Sequence, residues 1–314
     1  MQEKYNVSVI VAVYNGEKYL QNQLDSLQNQ SIKISQVIIT DDGSTDRSME
    51  IIENFIVDHA LSDTWSLKKS ETNQGPAANF INMCKETTGD YIFFCDQDDI
   101  WMPDKIEKMC DIINDNSEIN LLYADVIDTS NPESYPSYDT VVYDGSFERI
   151  EFSPENYFFK GLGCATCITR AFLKKVLRYW TAGWEHDMFF WACSILTDSG
   201  YRYNRPVIWR RIHSDNVSMH EVKTLEKRVA QVEKSLRRPK CMRRMLKDFE
   251  ISDPAKTAFL AQYYKVLHKR YRALKHRNPF LAIDVLLTGR SYFLHKTKGA
   301  ILDLVLILFK KYSM

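Results

Sequence analysis

Residues 91–103 constrain the fold of this chain more than any other segment, because an apolar run leads directly into three carboxylates. The sequence YIFFC at 91–95 shows no polar alternation, which is typical of a strand buried on both faces of a parallel sheet. Asp96, Asp98 and Asp99 follow at the carboxyl end of that strand. Ligands of open α/β sheets bind at this edge. We therefore expect an α/β fold with the acidic cluster at its ligand-binding edge.

The acidic cluster itself has two interpretations. Three negative charges so close together repel one another unless a cation or hydrogen-bond donors compensate them. Carboxylate oxygens are ligands that Mg²⁺ and Mn²⁺ prefer, and such ions bridge to substrate phosphates. The alternative is an acidic turn that caps the helix after Pro103, because Asp favours caps and Pro the first helical turn. The segment alone leaves both interpretations open.

The first hundred residues alternate between apolar β-rich runs and amphipathic segments. Strands are predicted at 7–13, 37–40, 65–69 and 91–95, and helices at 17–29, after a cap at Ser44 or Thr45, and at 76–85. This alternation predicts right-handed βαβ units and a Rossmann-like, mostly parallel sheet with helices on both faces. Polar residues end three of the strands: Tyr14 and Asn15, Asp41 and Asp42, and the acidic cluster. These ends should meet at one edge, where they suit a nucleotide.

Further strands are predicted at 120–125, 161–168 and 207–213, with helices at 105–113 and 188–192 and an irregular excursion at 129–150. Small residues dominate 161–168, which lets another chain or a ligand approach closely. Cys164 and Cys167 form a CxxC pair there, but two strand residues three apart point to opposite faces. A shared metal or redox site is therefore disfavoured. The seven cysteines show no disulfide framework, which indicates reduced thiols in a cytosol.

Charge divides the chain unevenly although the formal net charge is zero. Residues 221–314 hold 22 Lys and Arg against 8 Asp and Glu, whereas the remainder holds 19 against 33. The basic region reads as helices at 222–236, 258–274 and 281–294, interrupted at Pro239 and Pro254. Such a region suits an anionic partner.

The apolar segment 300–309 is too short to span a bilayer, which takes roughly 20 residues. Lysines flank it on both sides: Lys296, Lys298, Lys310 and Lys311. This arrangement suits an interfacial helix on anionic lipid. The alternative is a helix buried against the rest of the chain or a second subunit. The N-terminus carries no signal-peptide pattern, so a cytosolic protein is expected.

Six motifs in order resemble family 2 glycosyltransferases of the GT-A fold. They are VSVIVAVYNGEKYL (7–20), DDGSTD (41–46), NQGPAANF (73–80), GDYIFFCDQDDIWMPDK (89–105), EHDMFFW (185–191) and RIHSDNVS (211–218). Together they cover roughly residues 5–220. The DQDD variant, GLGC and R-x-H-x-x-N-x-S look most like bacterial rhamnosyltransferases of surface polysaccharide synthesis, although transferases of other sugars share them.

The resemblance implies a donor site. Nucleotide binding is implied for Ala12, Tyr14, Asn15, Asp42, Gly75, Asn79, Asp96 and Gln97. Tyr14 would flank the base, and Asp42 would bond to its imide or to the ribose. Asp98 would ligate Mg²⁺ or Mn²⁺ on the diphosphate, with His213 facing the metal and Arg211 neutralising phosphate charge. The residues alone leave an alternative for each of these roles. Tyr14 could belong to the core and Asp42 to a turn. Arg211 and His213 share a strand face and could both be solvated.

The resemblance also implies an acceptor side. Asp187 would be the general base, and the acceptor would be lined by Gly163, Trp184, Glu185 and His186. Inverting transfer needs a base that takes the proton of the acceptor hydroxyl and a cation that stabilises the leaving diphosphate. The alternative for Asp187 is a helix N-cap before Met188.

The implied organisation is a catalytic domain over 1–220, with a nucleotide-binding half at 1–100 and an acceptor half at 101–220, followed by the basic helical region 221–314. The implied enzyme moves L-rhamnose from dTDP-rhamnose onto a lipid-linked or growing polysaccharide of capsule or cell wall. It would be a cytoplasmic protein bound peripherally to the inner face of the cell membrane. A homo-oligomer stays possible, and no nucleic-acid partner is expected.

Three other functions stay open from the sequence. One is transfer of galactose, glucose or N-acetylglucosamine from a UDP donor. Another is a non-catalytic, glycan-binding scaffold on a transferase fold, which the intact Asp98 and Asp187 argue against. A nucleotidyltransferase is the third, but the chain shows no Gly-rich, Lys-bearing loop near its start that would hold a triphosphate.

Overall fold

The computed structural model describes residues 4–70, 73–130, 143–158, 161–213, 224–289 and 298–309. The chain forms two compact units, each assembled from separate stretches. The first unit takes residues 1–150, 161–177 and 199–216. The second takes residues 151–160, 178–198 and 217–314. The stretch 178–198, which carries the predicted base, therefore belongs with the C-terminal helices.

One mixed sheet forms the first unit. Within the described residues it has nine strands, in the order β3-β2-β1-β4-β8-β6-β9-β5, with β7 also pairing with β9. The strands are β1 (Val7–Val13), β2 (Gln36–Asp41), β3 (Trp65–Lys69), β4 (Tyr91–Asp96), β5 (Ile100–Trp101), β6 (Leu121–Thr129), β7 (Phe147–Arg149), β8 (Thr166–Thr169) and β9 (Gly200–Arg211). The helices of this unit are α1 (Leu20–Gln28), α2 (Ser48–Asp58), α3 (Pro76–Cys84), α4 (Lys105–Asp115) and α5 (Arg170–Val176).

The predicted parallel half is confirmed. β3, β2, β1 and β4 pair in parallel, and Ala12 of β1 lies in register with Thr40 on one side and Asp96 on the other. Ile92 and Phe93 of β4 are fully buried, as the absence of polar alternation predicts. The carboxyl ends of three neighbouring strands therefore meet at one edge. Beyond β4 the sheet is mixed, because β8 runs antiparallel to both β4 and β6.

Two local predictions are wrong. The run 161–168 is not one strand, because Gly163–Ala165 forms a 3₁₀ turn and only Thr166–Thr169 pairs in the sheet. Small residues permit the tight turn as readily as a close strand. The second correction concerns α2, which begins at Ser48 without a side-chain cap, so Ser44 and Thr45 are not its N-cap.

Helices make up most of the second unit. They are α6 (His186–Leu196), α7 (Leu225–Ser235), α8 (Arg237–Asp248), α9 (Pro254–Lys275), α10 (Pro279–Thr288) and α11 (Lys298–Leu308). The predicted interruption at Pro239 is misplaced, since Pro239 lies in the first turn of α8, where its missing N–H costs no helical bond. Pro254 opens α9 as predicted. In the described part of the chain, no helix is both long and apolar enough to cross a bilayer.

Buried ion pairs tie the last helix to this unit. Asp303 of α11 is 4% exposed and accepts a hydrogen bond at 2.7 Å from Arg228 Nε of α7. Arg270 of α9 binds the same carboxylate. One side of α11 is therefore fixed against the protein. The flanking lysines at 296, 310 and 311 lie outside the described residues.

Candidate active site

The β1–α1 loop and the β2–α2 loop are bound to each other at the strand-end edge. The backbone N–H of Asn15 donates to Ser44 Oγ at 2.8 Å, and Asn15 Oδ1 accepts from Thr45 N at 2.8 Å. Gly16 N donates to Ser48 Oγ at 2.8 Å. Asn15 adopts a φ of 50°, a left-handed conformation that Asn tolerates. The DDGSTD motif thus fixes the shape of this edge, and Asn15 is the residue of the β1–α1 loop that binds to its Ser44 and Thr45.

Asp42 shapes the loop before α3. It is buried, and its Oδ1 and Oδ2 accept the backbone N–H groups of Gln74 and Gly75, each at 2.9 Å. Gly75 has a φ of 77°, which favours glycine at that position. Asn79 follows in α3 and is 3% exposed, and its Nδ2 has no hydrogen-bond partner among the described residues. These three predicted residues come together around the start of α3.

Gln97 holds the end of β1. Its Oε1 accepts from Tyr14 N at 2.7 Å, and its Nε2 donates to Tyr14 O at 3.0 Å. A Cβ on Gly16 would approach Gln97 Oε1 to 2.6 Å, so this contact requires glycine at position 16. The side chain of Tyr14 is 46% exposed at the edge, which excludes a core position. Gln97 therefore acts on the loop backbone, and Tyr14 presents its ring to solvent.

The acidic cluster is bonded to the end of β9. His213 Nε2 lies 2.8 Å from Asp98 Oδ2 and donates to it. Asp99 Oδ1 accepts from Arg211 N at 3.2 Å, and Arg211 Nε donates to the carbonyl oxygen of Asp98 at 3.2 Å. The alternative of an acidic turn that caps α4 is wrong, because Asp104 occupies the N-cap position. Residues 214–218 of the same motif lie outside the described residues.

Tyr19 is a site residue that sequence reasoning missed. Its ring centroid lies 4.6 Å from Cζ of Arg211 and 4.7 Å from the ring centroid of His213. A guanidinium over an aromatic face is an attractive contact. Tyr19 therefore links the β1–α1 loop to the predicted phosphate-binding and metal-facing residues. Its place in the first motif is the one sequence signal, since its partners lie far away along the chain.

The donor atoms at this edge fit a divalent cation. Among the described residues, ligand atoms of Asp96, Asp99 and Cys164 lie within 4.8 Å of one another. Burial raises the pKa of the Cys164 thiol, so it stays protonated and is a poor ligand. Burial, and then the charge on Asp98, raises the pKa of Asp99 to about 6. A cation would favour its ionised form. Without the thiol, the carboxylate oxygens of Asp96 and Asp99 remain, and oxygen ligands of this kind suit Mg²⁺ or Mn²⁺.

Lys105 lies beneath the cluster and was not predicted as a site residue. It is fully buried, its Nζ donates to the carbonyl oxygen of Cys164 at 2.6 Å, and it lies 3.2 Å from the ring centroid of Trp101. Burial lowers the pKa of Lys105 to about 7. The ammonium group thus joins α4 to the 3₁₀ turn that contains Gly163.

Asp187 lies in the second unit, in the first turn of α6. Glu185 occupies the N-cap position, so the alternative of Asp187 as N-cap is wrong. Its carboxylate accepts from Met188 N at 2.6 Å. Burial raises the pKa of Asp187, and the bond from Met188 N opposes that change. A partly desolvated carboxylate with a raised pKa is suited to accept a proton.

The residues around Asp187 differ in burial. Trp184 is buried, with its ring centroid 5.4 Å from Phe189 and 5.5 Å from Cζ of Arg238. Burial lowers the pKa of His186 to about 3, so its imidazole is neutral at physiological pH. Desolvation, and then the charge on Asp187, raises the pKa of Glu185. Gly163, the remaining predicted acceptor residue, lies in the 3₁₀ turn of the first unit.

Sequence comparison identifies relatives among sugar-transferring enzymes. A profile of Glycosyl transferase family 2 matches residues 8–180. An uncharacterized glycosyltransferase of Haemophilus influenzae is 43% identical over 110 residues, which cover 35% of this chain and 43% of that protein. The dTDP-rhamnosyl transferase RfbG of Shigella flexneri is 30% identical over 219 residues, which cover 66% of this chain and 72% of RfbG.

Structural comparison gives the same fold. S. aureus TarS 1–349 in complex with UDP-GlcNAc matches with a TM-score of 0.59 and 16% identity, over 96% of this chain and 91% of that one. The mannosyltransferase PcManGT from Pyrobaculum calidifontis, in complex with GDP-Man and Mn²⁺, matches with a TM-score of 0.53 and 14% identity, over 98% of this chain and 89% of that one. At such identities the likeness shows the fold alone, and it confirms the predicted α/β GT-A architecture.

Proposed function

Because the chain belongs to glycosyl transferase family 2, we propose that it transfers a sugar from a nucleotide donor to an acceptor hydroxyl with inversion. The observation that carries this proposal is the strand-end edge of the first unit. There the acidic cluster, bonded to Arg211 and His213, shares one sheet edge with Asp42 and Asn79. The nucleotide sugars in TarS and PcManGT support it, since those proteins share this fold.

The proposed donor is dTDP-L-rhamnose. RfbG, a dTDP-rhamnosyl transferase, aligns over most of this chain and supports that sugar. Transfer of galactose, glucose or N-acetylglucosamine from UDP is the second candidate, and the UDP-GlcNAc in TarS favours it. Both donors present a pyrimidine base with the same imide, and they differ in the 5-methyl group of thymine, the 2′-hydroxyl of the ribose and the sugar.

The base and phosphates would bind to residues of the first unit. The exposed ring of Tyr14 would stack on the base, while Nδ2 of Asn79 would donate to one of its carbonyl oxygens. Asp42 already binds two backbone N–H groups, and each carboxylate oxygen keeps a second lone pair for the base imide. Arg211, held over Tyr19, would bind a phosphate oxygen.

Asp98 and His213, with Asp96 and Asp99 close by, would hold Mg²⁺ or Mn²⁺, which when bound stabilises the charge of the departing diphosphate. Asp98 Oδ2 and His213 Nε2 lie 2.8 Å apart, and both would bind one ion after Nε2 loses the proton that it donates to Asp98. The Mn²⁺ in PcManGT supports a divalent ion here.

Asp187 would take the proton of the acceptor hydroxyl. Its raised pKa strengthens it as a base relative to an exposed Asp, while the hydrogen bond from Met188 N opposes that rise. Glu185, the neutral His186 and Trp184 would line the acceptor.

The proposed acceptor is a lipid-linked or growing surface polysaccharide, presented at the inner face of the cell membrane. The basic composition of residues 221–314 supports an anionic surface there.

A donor panel tests the enzyme proposal. Thermal unfolding is measured with UDP, dTDP and GDP, each with and without Mn²⁺, for the wild type and for Asp98→Asn. We expect a Mn²⁺-dependent rise in melting temperature with UDP or dTDP, because a ligand that binds the folded state stabilises it. The Asn variant should lose the Mn²⁺ dependence. No shift with any nucleotide would favour the non-catalytic scaffold, and release of free rhamnose or N-acetylglucosamine from each donor identifies the sugar.

A further inference from the structure

Two C-terminal helices leave an apolar face exposed. On α10, Phe280 and Leu287 are 81% and 66% exposed, and Ile283 between them is also exposed. The spacing i, i+3 and i+7 places these three side chains on one face of the helix. On α11, which packs against α10, the exposed Ile301 and Leu308 again share one face. Exposed side chains of this size, repeated at helical spacing, mark an interaction surface.

The opposite side of these helices is fixed within the second unit. Ala282 and Val285 of α10 are buried, as are Leu306 and Ile307 of α11. The carboxylate of Asp303 is bound by two arginines from other helices. α11 therefore cannot leave the protein as an independent apolar segment. It offers one face only, together with that of α10.

Positive charge predominates in the segment of the sequence that carries this surface. Residues 272–314 hold 8 Lys and Arg against 2 Asp and Glu. Basic residues of the preceding helices bind both acids. Asp284 accepts a hydrogen bond from Lys269 Nζ at 2.6 Å, and Asp303 accepts from Arg228 and Arg270. Arg277 precedes α10 and Lys298 opens α11, and both are exposed. The segment thus combines exposed apolar side chains with an excess of cations.

We propose that the α10–α11 surface, defined by Phe280, Ile283, Leu287, Ile301 and Leu308, binds an anionic lipid bilayer. Apolar side chains at helical spacing enter the interface, and flanking cations contact the headgroups, each adding to affinity. A second copy of the chain is a poorer occupant, because a two-fold symmetric contact would bring the same cationic segment against itself. This inference goes beyond the transfer reaction and holds whichever sugar is moved.

Co-sedimentation of the full chain with vesicles tests the proposal. Vesicles of pure phosphatidylcholine are compared with vesicles containing phosphatidylglycerol, at low and high salt. We expect binding to the anionic vesicles that high salt weakens. Phe280→Ser and Leu287→Ser should each lower that affinity about tenfold, since each removes the burial of one large side chain. Val57→Ser, at a 72% exposed apolar position of α2 in the first unit, is the matched control and should bind like wild type.

Several outcomes overturn the inference. Wild-type protein that stays in solution with both vesicle types contradicts it, as does unchanged affinity in the variant that combines Phe280→Ser with Leu287→Ser. Dimers in sedimentation velocity that Phe280→Ser dissociates, without vesicle binding, assign the surface to a second copy instead. Thermal unfolding of each variant confirms that it folds. Donor hydrolysis, measured without lipid, should stay at the wild-type rate in all variants, so failure here is distinct from failure of the transferase proposal.

Discussion

Replacing Lys105 by Met should remove a pH dependence of stability that the wild type shows above neutrality. The ammonium group of Lys105 is fully buried and binds the carbonyl oxygen of Cys164 at 2.6 Å. Burial lowers the pKa of Lys105 from 10.5 to about 7. Met fills a similar unbranched space and carries no charge. The variant therefore loses the titrating group while keeping most of the packing.

The sign follows from proton binding in the two states. Between pH 7 and 10.5, Lys105 is largely protonated in the unfolded chain and largely neutral in the folded protein. The unfolded state binds more protons in this window, so raising the pH stabilises the folded state. Below pH 7 both states are protonated and the contribution is constant. At about 1.4 kcal/mol per pH unit, and with half protonation at pH 7, the wild type gains about 2 kcal/mol from pH 7 to 9.

Urea unfolding of both proteins at pH 7, 8 and 9 measures this gain. Subtracting the free energy of unfolding of Lys105→Met from that of the wild type cancels the titration of every other group. The difference should move in favour of the wild type by about 2 kcal/mol across that range. Lys108→Met, at an exposed position of the same helix, is the matched control for the loss of a lysine from α4. A flat difference for Lys105→Met would show that its ammonium stays protonated in the folded protein and refute the reasoning.

Three further predictions concern the site and its support. Asp98→Asn should abolish turnover and the divalent-ion dependence of nucleotide binding, because an amide is a poorer ligand for hard cations; full activity of the wild type in EDTA would contradict this. Asp187→Asn should lower kcat about 10³-fold and leave donor affinity nearly unchanged, whereas equal losses in both would make Asp187 a donor ligand. Asp303→Ala should cost about 3–5 kcal/mol in urea unfolding, because it leaves Arg228 and Arg270 buried without their carboxylate; a change below 1 kcal/mol would mean that these arginines reach solvent.

Local pattern predicted the parallel half of the sheet because its strands are continuous apolar runs, such as Tyr91–Asp96, whose burial needs no distant information. The Asp98–His213 bond joins residues 115 positions apart, so only the family resemblance pointed to that pair. Lys105 escaped prediction because its buried state depends on a carbonyl 59 residues later, in a turn that the sequence reads as a strand. The predicted apolar segment 300–309 is a helix, but the carboxylate of Asp303 determines which of its sides faces the protein.

The order of synthesis gives the buried Asp303 a further consequence. All nine described strands of the first unit have been made once β9 is synthesised. The α6 segment, in contrast, packs against helices that the ribosome adds later: Trp184, just before α6, contacts Arg238, and Cys193 of α6 contacts Met242. Asp303 follows its partner Arg270 by 33 residues, so the ribosome takes roughly 2–7 seconds at ordinary elongation rates to add it. During that interval α6, which carries Asp187, belongs to a unit whose last helix does not yet exist. A nascent chain thus has its strand-end edge before the unit that carries its proposed base has been joined by α11.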